Sequence, residues 1–314
     1  MKLGMAYYGA HLPEHLRTDL AALRAMGCDE VLVTLAENDF HIFPGKVRSA
    51  PAIGHDLGLR IVANLWGFAC AFGGGRVSRL LTDNLDVWQV RRDGTRKGEG
   101  CMNHPALRRR AEEMVEECAR LGYDAYFWDE PTVQDCYCEH CQARYAAAGG
   151  RGDLRRAAAG DLDAFRQASI AAYVADMSAF VKRLDARLET ATCVMPTDAA
   201  AWEATAAIAA LDTFGTDPYW ECLGQDMAWV REKTRAAVEL SRRYGKRSLM
   251  WLQAWRIPAG REREIEEAAQ IIAAEGPDAL YTWGFRGSEG TNEACEDPAA
   301  AWAAVIRAYQ ALRG

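Results

Sequence analysis

Two adjacent carboxylates, Asp129 and Glu130, close the apolar run Tyr123 to Trp128, and Pro131 ends it. A carboxyl group leaving a buried strand beside an indole loses hydration, which raises its pKa toward the range a general acid needs. Six residues after Glu130 come Cys136, Cys138 and Cys141, in a C-x-C-x2-C spacing. Three clustered thiols indicate a metal site rather than catalysis, because a closed tetrahedral zinc site takes four protein ligands and keeps no open position. Cys101, 35 residues before Cys136, is the expected fourth ligand, with His104 as its alternative and plain buried thiols as the competing explanation. The other cysteines Cys28, Cys70, Cys118, Cys193 and Cys222 sit among apolar or small residues and are expected to be inert core.

These residues need a frame that holds them at one end. Eight β-like runs alternate with helical segments: Lys2 to Tyr8, Glu30 to Leu35, Leu59 to Trp66, Tyr123 to Trp128, Thr190 to Met195, Leu211 to Thr216, Arg247 to Trp255 and Ala279 to Phe285. Several are almost continuously apolar, as strands buried on both faces are. Strand and helix repeated eight times over 314 residues predict an α/β fold, a (β/α)8 TIM barrel forming a single domain over 1–314. A doubly wound open sheet is the competing arrangement, but no Gly-rich phosphate turn follows the first strand. About forty residues separate the third strand from the helix at Pro105 to Leu121. This stretch, about 67–104, is expected to be an insertion over the C-terminal mouth. It opens with the loop Gly67 to Arg76 and carries a hairpin signal, Val87 to Arg92 followed by Asp93-Gly94.

Active-site side chains of such a barrel stand where strands end. The positions collected there are Glu130, Asp217 and Asp129 as catalytic candidates. For substrate binding they are Tyr8, Glu37, Asn64, Trp66, Trp128, Tyr219, Trp220, Gln253, Trp255 and Trp283. Carboxylates ringed by aromatics and amides suit a sugar, whose ring faces stack and whose hydroxyls need polar partners. Alternation along a strand sends one of Asp129 and Glu130 inward and the other out. With Glu130 inward, Trp128 and Tyr126 share its side, and Asp217 is the expected second carboxylate.

The acidic Glu after the fourth strand, the C-x-C-x2-C just beyond it and the earlier single Cys resemble glycoside hydrolase family 42 over about Cys101 to Tyr145. That resemblance implies a (β/α)8 β-galactosidase-like glycosidase with Glu130 at the general acid/base position. It also implies a zinc site of Cys101, Cys136, Cys138 and Cys141. The family has Asn before this Glu where the chain has Asp129, and a nucleophilic Glu ending the seventh strand where MWLQAW offers Gln253. The Asp-Glu pair is similar to that of β-N-acetylhexosaminidases, in which the substrate's acetamido group attacks and the Asp orients it.

Net charge is −7 with no basic run, which argues against nucleic acid and anionic membranes as partners. No apolar run approaches a membrane span, and the N-terminus lacks a signal-peptide pattern, so a cytoplasmic protein with reduced thiols is expected. No organic cofactor is expected, and a homo-oligomer is compatible with the sequence. Cleavage of a glycosidic bond is the primary expectation. The alternatives are a non-catalytic carbohydrate-binding barrel, or a barrel hydrolase or lyase on a non-sugar substrate.

Overall fold

The computed structural model describes residues 1–9, 11–74 and 77–314, the side chain of Ala199 excepted. Gly75 and Arg76, at the end of the loop after the third strand, lie outside the described residues. Along the chain the strands are β1 (Lys2–Tyr7), β2 (Glu30–Thr34), β3 (Arg60–Asn64), β4 (Trp88–Val90), β5 (Arg96–Gly100), β6 (Ala125–Asp129), β7 (Glu189–Cys193), β8 (Thr213–Thr216), β9 (Arg247–Gln253) and β10 (Ala279–Trp283). The helices are α1 (Pro13–Ala25), α2 (Pro44–Asp56), α3 (Arg79–Asp83), α4 (Pro105–Leu121), α5 (Glu139–Ala147), α6 (Ala159–Leu184), α7 (Ala199–Ala206), α8 (Met227–Arg243), α9 (Arg263–Ala274) and α10 (Pro298–Arg313).

Eight parallel strands close in the order β1-β10-β9-β8-β7-β6-β3-β2, so the expected (β/α)8 barrel is present. Closure rests on the first and last strands, with Lys2 opposite Ala279 and Met5 opposite Thr282. The remaining two strands, β4 and β5, form the antiparallel hairpin that Asp93-Gly94 signals. Side chains divide between two cores, as period-two alternation requires. Leu32, Val62, Phe127, Leu249, Trp251 and Tyr281 fill the barrel interior. The opposite faces of the same strands, with Val31, Val33, Tyr126, Trp128 and Met250, pack against the helices.

The helices carry their own punctuation. Pro105 opens α4, with the His104 Nδ1 accepting from the Ala106 N–H at 3.2 Å, and Gly122 ends it at φ +91°. Asp297 caps α10 through the Ala300 N–H at 2.9 Å, before Pro298. At the N-terminal end of the barrel, Glu30 accepts from Lys2 at 2.6 Å, from Arg60 at 2.7 Å and from the Tyr281 hydroxyl. Glu189 accepts from Arg60 at 2.9 Å and Arg247 at 2.7 Å. This network laces six strands, and the candidate chemistry stands at the other end.

Candidate active site

Strand β6 points Phe127 and Asp129 into the barrel. Tyr126 and Trp128 point to the helix layer, where the Tyr126 hydroxyl donates to the Val115 carbonyl and the Trp128 Nε1 to the Ser178 Oγ at 2.9 Å. Trp128 is therefore a wall between sheet and helix α6, not a sugar platform. Alternation continued one residue further would send Glu130 outward as well. It does not, because the strand stops at Asp129 and Glu130 adopts a left-handed backbone, φ +37°. That turn brings both carboxylates to the same pocket, and the expectation of one inward and one outward is corrected accordingly. Gly73 makes room for the turn: its N–H donates to the Asp129 carbonyl at 2.8 Å, and a Cβ there would lie 3.1 Å from Glu130 Oε2.

Around these two groups the surroundings are low in dielectric and rich in acid. Asp129 accepts from Asn64 Nδ2 at 3.0 Å and from the Cys193 thiol at 3.6 Å. Burial first, and the Glu130 charge second, push its pKa up to about 7 despite those two donors. Asp217, on the turn after β8, is completely buried, and its carboxyl oxygens meet no hydrogen-bond donor among the described residues. The carboxyl of Glu130 lies close beside it, and no donor among the described residues offsets the repulsion between the two groups. Burial first, and then the charge and close approach of Glu130, hold Asp217 well above the ordinary carboxyl range.

A cavity of about 180 Å³ opens over this cluster. Of the residues singled out in the sequence, Asp129, Glu130, Trp66, Tyr219, Trp255 and Trp283 line it. The rings are set at angles, with Tyr219 perpendicular to Trp255 at 5.5 Å and Trp66 tilted on Trp283 at 5.6 Å. Sequence reasoning missed Gly73, Gly74, Met195, Cys222, Leu223 and Glu293 in the same lining. The signal for Glu293 was its place in the loop after the eighth barrel strand. Cys222 is exposed there and Cys70 half-buried, so neither is the inert core thiol expected.

Other candidates stand elsewhere. Glu37 is in a short 3-10 turn that carries it away from the pocket, where it accepts from Ser78 Oγ at 2.7 Å, the Leu80 N–H and Arg110. Trp220 is buried with its indole N–H on Glu264. Gln253 is fully engaged: its Oε1 accepts from the Glu221 and Cys222 N–H groups and its Nε2 donates to the Trp255 carbonyl, fixing the loops after β8 and β9. Glu37, Trp220, Gln253, Trp128 and Asn64 thus stand outside the lining of this cavity, and Asn64 meets it through its bond to Asp129. Tyr8 lines an adjoining cavity of about 330 Å³ together with His11, Asp39 and Lys46, and this cavity meets the first at Trp66.

The four cysteine sulfurs converge. Cys101, Cys136, Cys138 and Cys141 are buried with their sulfurs within 4.8 Å of one another, and Cys101 lies 3.6 Å from Cys138 and 3.4 Å from Cys141. Tetrahedral zinc with Zn–S near 2.3 Å has sulfurs about 3.8 Å apart, so the cluster fits such an ion. The Val90 N–H and Asn103 Nδ2 donate to Cys136 and Cys141 sulfurs, the polar surroundings a thiolate needs. His104 caps α4 instead of joining them. Hairpin and cysteine loop are further tied by Tyr137 N–H to Val90 carbonyl and by Gln134, which bridges Met102 and Gly100.

A larger surface groove of about 950 Å³ lies along α5 and the start of α6, and shares no residue with the carboxylate pocket. Its lining mixes Arg144, Arg151 and Arg156 with alanines and converges on no acid pair, so size does not make it the better candidate. No described helix is long and apolar enough to cross a membrane.

No protein-family model matches the sequence, and no curated protein is similar to it. Solved structures are similar in fold. A β-galactosidase from the haloarchaeon Halorubrum lacusprofundi superposes with TM-score 0.74 and 17% identity over 99% of this chain and 58% of its own. A β-galactosidase from Bacillus circulans sp. alkalophilus gives TM-score 0.76 and 12% identity over 100% and 56%. An endo-β-1,4-mannanase from Thermotoga petrophila gives TM-score 0.63 and 13% identity over 98% and 76%. The chain thus spans less than two thirds of the two β-galactosidases.

Proposed function

We propose that the chain is a glycoside hydrolase in which Glu130 is the general acid/base. The observation that carries this reading is the convergence of Asp129, Glu130 and Asp217 beneath a pocket walled by Trp66, Tyr219, Trp255 and Trp283. Of Glu130 and Asp217 only Glu130 lines the pocket, so Glu130 is the one placed to protonate the leaving oxygen. Asp217 is then the buried acid beside it, while Asp129 stands at the pocket wall. The rings offer stacking faces to a sugar. β-Galactosidases and a mannanase among the structural neighbours support a carbohydrate substrate, and the family 42 resemblance supports the acid/base assignment.

A second reading, substrate-assisted cleavage of an N-acetylated sugar, draws on the meeting of Asp129 and Glu130 near Tyr219. There Asp129 would orient the acetamido group. The four cysteines are inferred to hold a structural zinc, whose chemistry is limited to clamping the loop that follows Glu130. Reduced thiols in such a site accord with a cytoplasmic enzyme.

A screen of aryl glycosides, N-acetylated ones included, tests the function. Turnover should appear on at least one of them, and Glu130→Gln should lower it about 10²–10⁴-fold for leaving groups that need protonation. Sugar binding with no turnover on the whole panel would instead establish a carbohydrate-binding barrel.

A further inference from the structure

Hydrolysis of a glycoside by paired carboxyl groups needs one on each side of the scissile bond. Asp129 and Glu130 leave the same strand, Asp217 is sealed beneath them, and β9 ends in Gln253, whose amide is fully engaged in holding loops. Among the described residues of the lining one further acidic residue remains. Glu293 is half-buried there, on the loop after β10. In the closed order β1-β10-β9-β8-β7-β6-β3-β2, β10 stands four strands from β6 in either direction, diametrically opposite the strand that carries Glu130.

The loop is fixed in place. The Glu293 carbonyl accepts from the Arg256 N–H at 3.0 Å, and the Glu296 N–H donates to the Ile257 carbonyl at 3.0 Å. The Cys295 N–H donates to the Gly287 carbonyl at 2.9 Å and its thiol to the Ala254 carbonyl at 3.4 Å. Glu293 is thereby strapped against the residues that follow β9, so a carboxylate missing from the end of that strand is supplied from its neighbour. Such an anchored loop holds a side chain far better than a free one, as a reacting group requires.

We propose that Glu293 is the second catalytic carboxylate and the base that activates water, an inference that rests on the glycosidase reading above. Glu130 gives its proton to the glycosidic oxygen as the C1–O bond breaks. A water oxygen forms the new bond to C1 from the opposite face, and the proton it loses passes to the Glu293 carboxylate. Solvent then takes the proton from Glu293 and returns one to Glu130. Groups arriving from opposite strands suit the wider spacing, about 6.5–9.5 Å, that leaves space for this water and inverts the anomeric centre.

The test uses the full chain and a glycoside that the wild type turns over. Glu293→Gln should lower kcat about 10³-fold with KM within about threefold. Dinitrophenyl glycosides, which need no proton, should restore Glu130→Gln and leave Glu293→Gln slow. Proton NMR of the first product formed should show inversion. Glu296→Gln, on the same strap with its side chain on the Ala259 N–H, should stay close to wild type, separating the carboxylate's chemistry from loop damage. Near-normal kcat in Glu293→Gln, retention of configuration, or turnover confined to 2-acetamido sugars would each overturn the proposal while leaving a glycosidase. Absence of any turnover by the wild type would remove the glycosidase reading itself.

Discussion

Asp217 is the most informative single residue. A carboxylate buried with no donor among the described residues and facing another carboxyl destabilises the fold when it ionises. Its folded-state pKa lies above its unfolded value, and so does that of Asp129, which rises from 3.8 to about 7. Groups shifted this way contribute their stability fully below the unfolded value and lose it as pH rises through the folded one. Thermal stability should therefore fall as pH climbs from about 4 through 7, insofar as these two groups set it. Asp217→Asn removes the buried ionisation and gives Glu130 a permanent donor. Its Tm at pH 8 should exceed that of the wild type by roughly 2–4 °C, the scale of 1 kcal/mol in a large domain, and its pH dependence should be shallower. Calorimetry at pH 5 and pH 8 checks both, and an unchanged slope would show that Asp217 does not titrate against the fold.

At the scale of elements, the strap from Pro131 to Cys141 connects the acid to the cysteine cluster. Thr132 N–H donates to the Ala71 carbonyl, Tyr137 N–H to the Val90 carbonyl, and the four sulfurs close the far end. Purified protein should carry about one zinc per chain, and Cys136→Ser should lose the metal and lower Tm, as measured by metal analysis and melting under reducing conditions. Zinc-free protein with an unchanged melt would refute the clamp. The eight strands and the cysteine set were legible in the sequence because they depend on local pattern: buried apolar runs between helices, and thiols within six residues. The inner face of the pocket was less so. Gln253 sits at a strand end just as a substrate ligand would, and only the neighbouring loop's N–H groups reveal that it is engaged. Glu130 turns inward by a backbone torsion that alternation cannot anticipate. Glu293 enters through a strap formed between segments about forty residues apart in the chain.

Across the whole molecule the two ends of the barrel differ in kind. At the N-terminal end Glu30 and Glu189 are matched by Lys2, Arg60, Arg247 and Tyr281, and charge is balanced by charge. At the C-terminal end acids face acids, the Trp255 indole N–H is buried without a hydrogen-bond partner among the described residues, and Glu130 holds a conformation that costs a non-glycine residue about 1–2 kcal/mol. One end is built for persistence and the other is held in tension by it. The left-handed turn at Glu130 thereby sets backbone comfort against the side chain it carries. Heat resistance alone favours glycine or asparagine at position 130, where the backbone already has the shape those residues prefer. A variant selected for heat resistance alone would move toward that sequence, and Glu130→Gly should therefore melt higher than the wild type while losing the carboxyl from the pocket.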